Sequence, residues 1–344
     1  MNITTIGLDL AKNSFHVFGV NAHGKKLVSK ALTRKQVLPY FANLPRCLVG
    51  MEACGGSHYW AREVGKLGHT VKLMAPQFVK PYVKSNKNDA ADAEAICEAV
   101  TRPGMRFVTV KTVEQQSVLS LHRVRESTVA ARTEQANLIR GLLLEYGLVI
   151  PQGIRAVFVE VPKIQEDAGN GLDGRMRSLL QDMADHLKAL DERVERLDLM
   201  IAESNRQDAR VARLEAVPGI GPLTASALVA SLGNVENFDE GRSLAAYLGL
   251  VPRQHSTGGK STLLGISKRG DRCLRTLLIH GARSVVRCAE KRQDALGAWI
   301  RQLLSRRSKN VAAVALASKN ARTIWALLKH QRDFDTAYQT QAVA

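Results

Sequence analysis

The sequence predicts an α/β N-terminal domain, a middle built from long helices, and a mainly α C-terminal domain. Three observations carry this prediction. Short apolar runs separated by turn signals crowd the segment before Met74. A heptad seam runs from Met176 to Ile201, and glycine-punctuated helical patterns fill the chain after residue 207.

The chain has 344 residues, enough for two or three domains. It is 45% hydrophobic and 24% charged, so a sizeable core is available. Its net charge of +17 and pI of about 9.9 call for a polyanionic partner. From Val251 to Ala344 there are 18 lysines and arginines against 5 acids, which places +13 of that charge in the last quarter and suggests a nucleic-acid surface there. The five cysteines (Cys47, Cys54, Cys97, Cys273, Cys288) form no CxxC pair and read as reduced core residues, not as zinc ligands or a disulfide framework. No apolar run approaches membrane-spanning length, and the first residues lack a signal-type pattern. The expectation is a soluble intracellular protein without a membrane partner.

Ile3–Leu8, Phe15–Val20 and Lys26–Leu32 read as three strands with tight connections, hence antiparallel. A helix from about Arg34 to Leu44, kinked at Pro39, leads to a strand ending at Glu52. Gly55-Gly56-Ser57 opens a helix from His58 to Leu67, and His69–Met74 is a fifth strand. Hairpin strands followed by strand–helix alternation predict a mixed sheet with helices packed on it, assigned to residues 1–111.

Lys87-Asn88-Asp89-Ala90-Ala91-Asp92-Ala93-Glu94-Ala95 is alanine-rich and continues as a helix to Val100. Asp89 and Asp92, three residues apart, share one face of it. Like charges held that close repel unless a cation sits between them, and a hard divalent ion, Mg²⁺ first, suits oxygen ligands. Asp9 and Glu52 each end an apolar strand, where an unpaired charge is costly to bury, so they could complete such a site; the alternative for each acid is a solvated surface carboxylate. Lys12 and Lys87 are positioned to meet phosphates or to remain solvated charges.

Residues 112–206 form the middle. One long helix ends at Gly147 and Pro151, residues 151–172 read as irregular, and a second long helix carries the heptad seam Met176, Leu180, Met183, Leu187, Leu190, Val194, Leu197, Ile201. The seam serves either an antiparallel hairpin within the chain or a coiled coil with another subunit. Residues 207–332 begin with Val217-Pro218-Gly219-Ile220-Gly221-Pro222, which resembles a helix-hairpin-helix: Gly219 and Gly221 let backbone amides approach a phosphate at a helix N-terminus. The polar, glycine-rich stretch Arg253 to Thr262 reads as an exposed loop of hydroxyls and lysines. Ser256 there has no evident local base, since His255 points away from it in an extended segment. Lys260, Lys268, Arg269, Arg272 and Arg275 add a basic surface, with Arg283 and Arg287 continuing the helical spacing. Residues 292–330 read as two more helices, and 333–344 as a flexible tail.

The order of acids, with Asp on the first strand, Glu on the fourth and two Asp on a later helix, resembles the RuvC-like branch of the ribonuclease H fold. The whole layout, from Gly7-Leu8-Asp9 to Ser267-Lys268-Arg269-Gly270-Asp271, resembles the insertion-sequence transposases that join a DEDD-type RuvC-like domain to a C-terminal serine-bearing transposase domain and are guided by a structured bridge RNA. The resemblance implies Asp9, Glu52, Asp89 and Asp92 as catalytic ligands of two Mg²⁺ ions, about 3.5–4 Å apart in such sites. It implies Ser256 as the nucleophile activated from that remote site, with Thr257 in the competing register and Ser261 as a further choice. It also implies donor and target DNA, a guide RNA and a homodimer or homotetramer as partners, working in the bacterial cytoplasm and on the nucleoid. Two alternatives stand beside it: a metal-dependent DNA nuclease without a covalent intermediate, and a non-catalytic nucleic-acid-binding protein.

Overall fold

A computed structural model describes residues 2–84, 88–233 and 235–335. Lys87 and the tail beyond Asp335 lie outside the described residues. The chain divides into two compact units, Met1–Val113 and Glu114–Ala344.

The first unit is built on a mixed sheet. Its elements are β1 (Thr5–Leu10), β2 (Ser14–Val20), β3 (Lys26–Thr33), α1 (Val37–Ala42), β4 (Leu48–Glu52), α2 (Ser57–Lys66), β5 (Thr70–Met74), α3 (Pro76–Val79), α4 (Asp89–Val100) and the short β6 (Phe107–Val108). Among the described residues six strands pair in the order β3-β2-β1-β4-β5-β6. β1, β2 and β3 form an antiparallel meander, while β1, β4 and β5 run parallel. The expected mixed sheet is present. The expected helix after Arg34 is shorter and splits into a 3-10 turn (Arg34–Gln36) and α1. Pro39 falls in the first turn of α1, where a missing N–H breaks no helical bond, so nothing forces a kink. One face of the sheet buries Ile6, Leu8, Val49, Met51 and Leu73 with Phe41 and Trp60. The other face carries α4, whose Ala93, Ala95 and Ala99 are small enough to lie close to the strands.

The second unit opens with three helices: α5 (Val113–Leu144), α6 (Ile154–Glu166) and α7 (Gly174–Arg206). The heptad seam is used inside the chain. Ion pairs Arg125–Asp198 and Arg132–Asp191 and the Gln135 Nε2 to Met183 O hydrogen bond (3.1 Å) step forward along α5 and backward along α7, so the helices are antiparallel. Met176, Leu180, Met183 and Leu187 bury against Ala136, Ile139 and Leu143 and against α6. The irregular reading of residues 151–172 is corrected by α6. Pro162 hides the pattern, yet Val157 and Val161 are buried at helical spacing, and that burial outweighs the roughly 3 kcal/mol penalty of an interior proline.

The remainder is α8 (Ala209–Glu215), α9 (Pro222–Leu232), α10 (Gly241–Tyr247), the hairpin β7 (Pro252–Thr257) and β8 (Lys260–Ile266), α11 (Arg272–Arg287), α12 (Ala295–Leu304) and α13 (Lys309–His330). α9 is apolar nearly all round and is enclosed by α8, α11 and α13 in one core. Asp333 pairs with Arg213 at 3.2 Å and Phe334 packs on this core, so the first two residues of the expected flexible tail are tied down. Cys47 and Cys97 are buried as expected, but Cys54 and Cys288 are exposed. Among the described residues no helix is long and apolar enough to cross a membrane.

Candidate active site

Two glycines and two acids share one spacing, and that spacing builds the site. In the parallel pair β1–β4, Gly7 lies opposite Gly50 and Leu8 opposite Met51, so Asp9 and Glu52 are the next residue on each strand. Side chains alternate faces along a strand, which puts Asp9 on the face of Gly7 and Glu52 on the face of Gly50. That face is the one under α4. A methyl group on Gly7 would overlap the Ala93 carbonyl oxygen and lie 2.5 Å from the Cys97 nitrogen; one on Gly50 would lie 2.8 Å from Val100 Cβ. α4 therefore runs across bare backbone, with its C-terminal end near Gly50 and its middle over Gly7. Its first turn, carrying Asp89 and Asp92, comes to the strand ends. Asn88 caps that turn, its Oδ1 accepting from Ala91 N at 2.8 Å.

The electrostatics report the convergence. Burial pushes the Asp9 carboxyl up from 3.8 to about 6, and the charges of Asp92, Asp89 and Glu52 push the same way. Only the Leu10 backbone hydrogen bond opposes them. Acids from β4 and α4 thus act on Asp9. Such a donor set, all carboxylate oxygen, fits a hard divalent cation. Among the described residues no group of three or more His, Cys, Asp or Glu side chains is closed around a single point.

His16 is a residue that the sequence reading passed over. It sits opposite Asp9 in the β1–β2 ladder, on the same face, and Ser29 Oγ lies 3.1 Å from its Nε2. Burial lowers its pKa, the Asp89 charge raises it, and the balance is a lowered value. The available signal was one polar ring in the apolar run Phe15-His16-Val17-Phe18. Lys12 is exposed in the connection leaving the same end of β1.

The Asp9 shift has a consequence for stability. The folded-state value lies above the ordinary one, so this group's stabilising contribution is complete below about pH 4 and is lost as pH rises through about 6. In chelator, raising the pH from 4 to 7 is expected to cost the fold about 1–2 kcal/mol, after discounting for solvent screening. Asp9→Asn should flatten this dependence and melt higher than wild type at pH 8, while Mg²⁺ should raise only the wild-type melting temperature. Thermal melts of both proteins, with and without Mg²⁺, check this; a lower Asp9→Asn melting temperature in chelator at pH 8 would contradict it.

The remaining candidates lie in the second unit. The stretch read as a loop is a β-hairpin, a correction with a local cause: Gly258 and Gly259 both have positive φ (+54 and +79), the pairing a tight two-residue turn requires. The hairpin sorts the candidate hydroxyls. Ser256 is directly opposite Ser261, while Thr257 is opposite Lys260 and His255 opposite Thr262 on the other face. Gln254 Nε2 donates to both Ser256 Oγ (2.8 Å) and Ser261 Oγ (3.2 Å), a partner that alternation along β7 would have picked out. Gln254 is an amide, so this contact orients Ser256 and supplies it no base. Lys260, Lys268 and Arg269 are exposed, and Lys268 adopts a positive φ of +55. Arg275 has a structural use: its Nη1 donates to Leu248 O (3.3 Å) and Arg269 O (2.8 Å). Gly219 (φ +88) is packed against Gly281 on α11, which is reason enough for a glycine there. Gly221 is exposed, with open space where a side chain would be, at the start of α9.

Residues 6–148 match the DEDD transposase profile of the IS110 group, and residues 211–297 match the profile described as "Transposase IS116/IS110/IS902 family". A probable family 20 transposase of Pseudomonas aeruginosa is 54% identical, over 96% of this chain and 98% of its own. The chain belongs to the IS110/IS116 family of insertion-sequence transposases. The transposases for IS1328 of Yersinia enterocolitica (45% identical, 94% and 96% of the two chains) and IS1111A of Coxiella burnetii (44%, 97% and 92%) are similar over almost the same span. The first profile of this transposase covers all four acids, and the second covers the Pro218-to-Pro222 turn between α8 and α9, both strands of the hairpin and α11.

Proposed function

We propose that this transposase cuts and rejoins DNA through a serine-linked intermediate, with Asp9, Glu52, Asp89 and Asp92 holding the divalent ions, Mg²⁺ first and two in number. The observation that most supports the metal-binding part is the placement of Asp9 and Glu52 at neighbouring strand ends on the face that α4 crosses, where the Asp89 and Asp92 charges act on Asp9. When bound, the ions supply Lewis-acid stabilisation of the phosphate and lower the pKa of coordinated oxygen. Asp9 and Glu52 orient from the strand ends, and Asp89 and Asp92 from a capped helix turn. Ser256 Oγ forms a bond to phosphorus while the phosphodiester's bond to one sugar oxygen breaks. That oxygen leaves as a hydroxyl, carrying the proton the serine gave up. Gln254, bonded to both serine hydroxyls, orients Ser256 for the attack. Gly221 and Lys260, Lys268 and Arg269 meet DNA phosphates, contacts that position the duplex without reading its sequence. The resemblance in motif order supports a structured RNA as the guide and a dimer or tetramer as the working assembly; recovering the transposase from its host and sequencing any bound small RNA tests the guide.

Denaturing gels of the transposase incubated with labelled DNA and Mg²⁺ test the chemistry. Wild type should give a protein–DNA adduct that survives denaturation. Ser256→Ala should give none, and Thr257→Ala and Ser261→Ala should keep it. Cleavage with no adduct from wild type points to water as the nucleophile and the nuclease reading. An adduct that persists in Ser256→Ala and disappears in Thr257→Ala moves the nucleophile by one residue.

A further inference from the structure

α11 is amphipathic in a way that leaves one face without a partner. Leu274, Leu278, Ala282 and Val286 recur every four residues and are buried, and Asp271 caps the helix by accepting from Leu274 N at 3.0 Å. The opposite arc carries Arg272, Thr276, His280, Arg283, Ser284 and Arg287, all exposed and none acidic. None of the ion pairs among the described residues uses Arg272, Arg283 or Arg287. From Arg272 to Arg287 the arc is about 22 Å long at the α-helical rise. The helix-hairpin-helix turn borders it: a methyl group on Gly219 would lie 2.9 Å from the Gly281 carbonyl oxygen, so the turn and α11 touch through bare backbone. Gly221, two residues on, is exposed and begins α9.

We propose that the exposed arc of α11 and the Gly221 end of α9 form one docking surface for duplex DNA. This rests on the reading that the transposase acts on DNA, and it adds where the duplex lies. The arginines supply unneutralised charge, Thr276 and Ser284 supply donors to phosphate oxygens, and the helix-hairpin-helix turn adds backbone amides beside them. An α-helix enters the wide major groove of B-form DNA. The deep, narrow major groove of an RNA duplex excludes it, which favours DNA.

The test is duplex-DNA binding by the full chain in chelator, where chemistry is silent and only docking is read. Arg283→Glu/Arg287→Glu should weaken binding at least tenfold near 100 mM salt and should reduce the slope of log affinity against log salt by about 2, one unit for each lost phosphate contact. Arg283→Gln/Arg287→Gln should show a smaller loss in the same direction, which covers the case in which charge reversal unfolds the helix. Arg193→Glu/Arg196→Glu on α7 makes the same charge change elsewhere and should leave binding within about twofold. Unchanged affinity in both α11 variants overturns the proposal, as does an equal loss in the α7 control. A duplex RNA that outcompetes DNA of equal length, with the same dependence on Arg283 and Arg287, overturns the choice of DNA. The catalytic reading fails separately: Ser256→Ala that still forms an adduct sinks that reading and leaves the docking surface standing.

Discussion

Gly7→Ala is expected to abolish strand cleavage while most of the chain stays folded. The added methyl group meets the backbone of α4 at Ala93 and Cys97, and backbone cannot rotate out of the way as a side chain can. The helix must lift from the sheet, an overpacking cost of about 1–3 kcal/mol. The larger loss is geometric. Asp89 and Asp92 ride on α4 while Asp9 and Glu52 ride on the strands, so lifting the helix separates the two halves of the proposed ligand set. Misplacing catalytic groups by about 1 Å costs on the order of a hundredfold in rate, and the loss of ion binding adds to that. Gly50→Ala should behave similarly but be partly rescued by Val100→Gly, because its obstruction is the Val100 side chain. Cleavage assays beside circular dichroism check both variants; full activity in Gly7→Ala would mean that α4 does not set the site.

Conservative neutralisation of the acids should be as severe. Asp9→Asn, Glu52→Gln and Asp92→Asn are each expected to lower the cleavage rate by about a thousandfold or more, the scale of several kcal/mol of charge stabilisation. Residues that act as one unit do not add, so Asp9→Asn/Asp92→Asn should be little worse than either single variant. DNA binding in chelator should persist in all of them. Single-turnover cleavage measures this directly, and normal rates in Glu52→Gln would reduce the four acids to surface charges.

Much of this was legible in the sequence, and the reasons are particular. Asp9 and Glu52 were visible because each is a charge at the end of an apolar strand, and Asp89 and Asp92 because the spacing puts them on one helix face. What brings the strand pair and the helix pair together was not visible. Gly7 and Gly50 read as ordinary strand residues until the helix is seen lying on them, although the repeated glycine-x-acid spacing was there to be noticed. The seam of α7 was plain, but its partner was not. Whether a heptad pairs within or between chains depends on the loop that follows α5, and Pro162 had disguised the helix in that loop. The β7–β8 hairpin escaped because β7 is polar after its first residue and β8 carries Leu263 and Leu264 side by side, so no alternation marks them; only Gly258-Gly259 does. Arg275 was counted with the other arginines because sequence does not distinguish a guanidinium spent on carbonyls from one left over.

The β7–β8 ribbon has an outcome for timing. Apart from its last residue it is exposed throughout, and two strands without a third or a covering helix are marginal on their own. The hydroxyl proposed as the nucleophile therefore sits on scaffolding that has no third strand or covering helix beside it. Immobilising it falls to whatever it docks against, so the entropic charge for alignment comes due only when substrate arrives. Under the proposed serine chemistry, a stray encounter would meet an unsupported ribbon, and attack would wait for the contacts that hold it in place.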